Sequence, residues 1–192
     1  MHLRRTFLAA LACMLPAVAH ATGSVEAAAL VYPWGPGTTI GGAVSGDHLF
    51  AALDARGAWG GAWYARVIGG ADVFSSDKLD LTAAAFVGGA SAWPYAESRG
   101  APMIGYEVGL GLGVGPVKGR YRHLHGLRPA SEALTWGCET CPRGPWYEDQ
   151  FRLQVKVSPK VSVFGDLLLE DPCRYDETDL YAAWGLGGQV TW

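Results

Sequence analysis

Two histidines two residues apart, His123 and His125, are the groups in this chain best placed by type to move a proton near neutral pH. A histidine becomes a general base for acyl transfer when an acid orients it and a hydroxyl lies within reach. No serine shares their segment, and Ser98 and Ser131 fall in stretches with no periodicity, so the triad is incomplete and both histidines are weak catalytic candidates. The second group is Cys138-Glu-Thr-Cys141 with Cys173. With a histidine these three could make a tetrahedral sulfur and nitrogen set for zinc. In an oxidising compartment the same thiols oxidise readily, which favours a disulfide between Cys173 and one of the other two, or within the Cys-x-x-Cys pair. We therefore assign no metal and no cofactor.

These groups must be positioned by strands. From about residue 102 onward the chain alternates with period two, the signature of strands with two unlike faces. Ile104, Tyr106, Val108, Leu110, Leu112 and Val114 share one side, opposite Met103, Gly105, Glu107, Gly109, Gly111 and Gly113. Between 147 and 157, Tyr147, Phe151, Leu153, Val155 and Val157 oppose Glu148, Gln150, Arg152, Gln154 and Lys156. After Ser158-Pro159 the alternation resumes through Val161, Val163, Leu167 and Leu169, and the last segment aligns Leu180, Ala182, Trp184, Leu186, Val190 and Trp192.

Composition narrows the class. With 27 Gly, 8 Trp, 8 Tyr and 17% charged residues, the chain is too apolar for disorder and too glycine-rich for a helical bundle. Its net charge of −3 argues against nucleic acid as a partner. Residues 1–21 read as a secretory signal, with Arg4 and Arg5, an apolar run from Phe7 to Val18 and the small-x-small site Ala19-His20-Ala21. That leaves 22–192 as one domain. Pro33, Gly35, Pro36 and Gly37, and later Gly88, Gly89 and Pro94, interrupt the longest uncharged stretches, so a membrane-spanning form of this chain must satisfy its backbone by closed strand pairing.

The alternating ending on an aromatic, Trp184, Leu186, Val190 and Trp192, resembles the C-terminal assembly signal of bacterial outer-membrane β-barrels. The segment from Ser158 to Asp166 is similar to a tight periplasmic turn and rising strand of small members of that class. The resemblance implies an all-β, closed antiparallel transmembrane barrel in the outer membrane of a Gram-negative bacterium. Its partners would be outer-membrane lipids, the barrel assembly machinery and a surface partner of unknown kind.

Counting back from Trp192 gives strands near 179–192, 160–170, 147–157, 117–127, 102–114, 79–92 and 61–73. Then come 48–56, 37–45 and 24–33, with Gly46-Asp47 as a hairpin turn. The sum is ten strands, with eight strands and an N-terminal segment as the alternative. Trp59, Trp63, Tyr64, Trp93, Tyr95, Trp146, Tyr147, Tyr181 and Trp184 then form an aromatic girdle beside the longer connections.

The face left for the lumen carries Arg66, Lys118, Arg120, Arg122, Arg152 and Lys156 against Asp72, Asp80, Glu107, Asp166, Glu170 and Asp179. Balanced charge in a narrow barrel predicts an ion-pair network that plugs the interior, with Gly109, Gly111 and Gly113 making room for Arg120 and Arg122. The functional expectation is a barrel without catalysis whose loops at 128–146 and 171–178 make surface contacts. A lipid-modifying hydrolase or acyltransferase using His123 or His125, and a narrow pore, are the alternatives.

Overall fold

The computed structural model describes residues 22–33, 35–58, 63–91, 100–127, 145–171 and 181–192. Ten antiparallel strands account for nearly all of them: β1 (Thr22–Tyr32), β2 (Gly35–Ser45), β3 (Leu49–Ala58), β4 (Trp63–Ser75), β5 (Leu79–Ser91), β6 (Gly100–Val114), β7 (Val117–Leu127), β8 (Pro145–Lys156), β9 (Val161–Asp171) and β10 (Tyr181–Thr191). Each pairs with its neighbour in sequence, and β1 pairs with β10, so the sheet closes into a barrel. The eight-strand alternative is excluded, because β1, β2 and β3 form continuous ladders.

Four tight turns lie at one end. The first hairpin is shifted by one residue from expectation: Gly46 N donates to Leu49 O at 2.8 Å and stays in the ladder, which makes Asp47-His48 the two-residue loop. Ser76 and Leu79 close the second in the same way. Gly115 has φ of 59°, and Pro116 after it fixes φ near −65°, a combination that leaves only a type II′ turn. Ser158 holds the fourth, its Oγ accepting from Val161 N at 3.1 Å. The connections at the opposite end include those spanning 92–99, 128–144 and 172–180, which contain Cys138, Cys141, Cys173 and Asp179 and lie outside the described residues.

The two faces of the sheet are inverted relative to a water-soluble protein. Leu53, Val67, Leu112, Leu153 and Leu186 point outward, the last 68% exposed, while Arg66 and Glu148 point inward at 1%. A register shift between Asp72 and Phe74 explains why consecutive Val73 and Phe74 both lie outside. Trp63 and Trp184 face outward as expected, but Tyr64 does not: it is buried in the interior on Ile68, Phe86, Met103 and Leu124. Period two explains the error, since adjacent residues in a stretch of strand without a bulge point to opposite faces.

Trp192 exchanges backbone hydrogen bonds with Gly23, N to O at 3.0 and 3.1 Å, and its indole covers the place a Cβ on Gly23 would occupy. These bonds extend the closing ladder by one pair. Deleting Trp192 is expected to lower the temperature at which the folded, fast-migrating band disappears on unboiled gels, and an unchanged transition would show that closure does not depend on this residue.

Candidate functional site

Inward-pointing side chains fill the half of the barrel nearer the longer connections. Arg56 on β3 bonds Glu148 on β8 through both terminal nitrogens, at 3.2 and 3.1 Å, and also bonds Glu170 on β9. Arg66 on β4 donates to Asp54 on β3 at 3.1 and 2.6 Å. Arg122 on β7 stands 3.8 Å from each of Asp54, Glu107 and Glu148, and Arg66 lies 3.7 Å from Glu107. Strands on opposite walls are thereby connected across the lumen. Tyr64 lies under both Arg56 and Arg66, at 4.7 and 5.2 Å from the ring centre, and supplies an aromatic face to each.

A second group sits lower. Arg152 on β8 makes paired bonds to Glu26 on β1, at 2.6 and 3.0 Å, and to Asp166 on β9, at 2.8 and 2.9 Å, with Phe164 beneath its guanidinium. Lys118 pairs with Asp80 at 2.7 Å, and Gln154 Nε2 donates to Gln189 at 2.7 Å. From the turn end of the barrel up to the underside of the upper network the lumen holds a cavity of 450 Å³, lined by Glu26, Asp72, Asp80, Glu107, Arg120 and Arg152 among others.

The structure brings Arg66, Glu107, Arg122, Arg152, Asp166, Glu170, Lys118 and Asp80 into ion pairs within 4.0 Å. It does not do so for Arg120, Asp72 or Lys156 among the described residues. Arg120 stands opposite Arg152 on one side, whose carboxylate partners are already engaged, and opposite Gly111 on the other. The space above Gly109 and Gly111 is used differently than expected. A Cβ at Gly111 would meet Asp80 Oδ1 at 2.3 Å and one at Gly109 would meet Thr82 Oγ1 at 2.4 Å, so these glycines admit β5 side chains rather than the arginines. Sequence reasoning missed Glu26, Asp54 and Arg56, and placed Glu148 on the polar face of its strand without including it in the network. Asp54 and Arg56 sit two apart in β3, a period-two charge pair that would have set the inward phase of that strand.

The histidines are on the other face. His123 Nδ1 is 2.8 Å from Asp149 Oδ1, which also accepts from the Tyr121 hydroxyl at 2.7 Å. His125 Nδ1 is 3.0 Å from the Tyr106 hydroxyl, and its ring lies 4.6 Å from that of Tyr147. The acid missing from sequence reasoning is thus Asp149, paired across strands with His123. No serine among the described residues bonds either histidine. Trp184, Leu186, Val190 and Trp192, the residues of the expected assembly signal, are all exposed on this outer face.

The sequence matches no protein-family model and no curated protein. Among solved structures, the N-terminal β-barrel domain of Pseudomonas aeruginosa OprF is similar at a TM-score of 0.39 and 11% identity, covering 89% of this chain and 97% of that one.

Glu148, like Asp54 and Glu107, has arginines on two sides, in its case Arg56 and Arg122. Replacing it with Leu leaves Arg56 with Glu170 as its remaining carboxylate and is expected to destabilise the barrel by about 3–5 kcal/mol. The double variant Arg56→Met, Glu148→Leu should cost less than the two single changes added together, measured by denaturant unfolding in detergent. Strict additivity would mean that the pair does not act as a unit.

Proposed function

We propose that the chain is an exported outer-membrane β-barrel of a Gram-negative bacterium, with a plugged interior and a structural or surface-contact role. The observation that carries this reading is the inverted sheet. A continuous belt of exposed Val, Leu and Ile side chains would aggregate in water, yet it suits the hydrocarbon of a bilayer. Closure by β1 and β10 supports it, because an open sheet edge is not tolerated in lipid. The short turns would face the periplasm and the longer connections the exterior. Residues 1–21 would be removed on export, and a disulfide joining Cys173 to Cys138 or Cys141 would brace two outer connections.

The cross-lumen ion pairs favour a plug over a narrow pore, since Arg56, Arg66, Arg122 and their carboxylates occupy the upper passage. The hydrolase or acyltransferase reading is favoured by one observation, Asp149 orienting His123, and lacks a serine bonded to either histidine among the described residues.

Two measurements test the proposal. The protein should fractionate with the outer membrane and show a heat-dependent shift on unboiled gels; recovery from the soluble periplasm would defeat the membrane assignment. In planar bilayers it should give no steady conductance, whereas Arg56→Ala with Glu148→Ala should open a small one. Robust ion flow through the unaltered barrel would favour the pore.

A further inference from the structure

The outer surface carries a feature that neither a plugged lumen nor surface loops require. Two successive cross-strand rows run from β6 to β10. The upper row is Leu110, Tyr121, Phe151, Leu167 and Trp184, all large. The row below is Leu112, Gly119, Leu153, Gly165 and Leu186, in which large and absent side chains alternate. The result is an apolar groove of 530 Å³ on the outward face. Neither glycine is forced by close neighbours: a Cβ would come no nearer than 3.9 Å at Gly119 and 3.6 Å at Gly165.

Directly above this groove lies the polar cluster. Tyr121 belongs to both, lining the groove with its ring and bonding Asp149 with its hydroxyl. Asp149 and His123 stand one row higher, about 7 Å up the strand, and Tyr106, His125 and Tyr147 a further row towards the long connections. Polar groups on a lipid-facing surface are costly unless partnered. Here His125 Nε2 is covered yet has no hydrogen-bond partner.

We infer that this surface is a binding site for one amphiphile, an acyl chain in the groove and a hydroxyl-bearing, uncharged headgroup against Asp149, His123 and the Tyr106, His125 and Tyr147 rings. The groove takes the chain by fit, because leaving the bilayer gives a lipid tail no hydrophobic gain and only complementary packing favours it. The Asp149 carboxylate accepts from a headgroup hydroxyl and opposes an anionic one. The Tyr106, His125 and Tyr147 rings, tilted 51° and 41° to one another, supply aromatic faces on which a sugar can stack, so the ligand class is a glycolipid rather than a phospholipid. The inference rests on the barrel spanning a bilayer.

The test is a nuclear magnetic resonance titration of the full mature chain in phosphatidylcholine nanodiscs with dodecyl glucoside, and in parallel with dodecyl phosphate. The glucoside should give saturable shifts at the Gly119 and Gly165 amides and at the Tyr121 and His123 rings, and should bind more tightly than the phosphate. Gly119→Leu, or independently Gly165→Leu, should abolish these shifts while the heat-dependent gel shift persists. Asp149→Asn should weaken binding about fivefold, the size of one net hydrogen bond. Unchanged binding in both groove variants, equal or tighter binding of the phosphate, or uniform non-saturable shifts would each overturn the site. Failure of the chain to enter the discs would overturn the membrane reading itself, a result distinct from any of these.

Discussion

Closure of the sheet between β1 and β10 is the constraint on which the other features depend. Eight ladder pairs from Ser24 and Thr191 to Val31 and Trp184 join the first strand to the last, and without them two edges would stand open. Closure also creates an inside. Once the strands curve round, every inward residue shares one confined space with inward residues of distant strands, which is how Arg152 on β8 comes to bond Glu26 on β1.

That confined space explains why the interior is charged and balanced. An apolar interior combined with the apolar exterior would leave the strands without a preferred phase, so that a slip by one residue would cost little. With Arg66, Arg122 and Arg152 facing Asp54, Glu107, Asp166 and Glu148, such a slip would put ions into the outer face and leave their partners alone inside. The network therefore specifies register more surely than it adds net stability, because desolvation consumes much of the attraction of a buried pair. Aromatic rings under Arg56, Arg66 and Arg152 lessen that cost.

Much of this was legible in the amino-acid order. The five strands from β6 to β10 have boundaries within two residues of those expected, because each sets large apolar or aromatic side chains on one face against small, polar or charged ones on the other. The N-terminal strands were harder. β1 and β2 are rich in Ala and Gly, whose small side chains suit either face, so Glu26 gave no clear phase and was overlooked. Partner choice was not legible at all. That Arg122 reaches Glu148, and that Arg120 reaches no carboxylate within 4.0 Å among the described residues, depends on where the closed sheet places each wall. The pairing of His123 with Asp149 likewise needed the β7 to β8 register, since the two are separated in sequence by the 128–144 connection.

The central claim is that lipid contacts one face of every strand and the ion-pair network lies behind the other. Paramagnetic relaxation from a spin label carried on a lipid tail, read at methyl groups in nanodiscs, tests it most directly. The account predicts strong broadening at Leu53, Val67, Leu153 and Leu186, with Leu30, Ile68, Leu124 and Leu168 protected. Broadening of the second set with protection of the first, or of neither set, would contradict it.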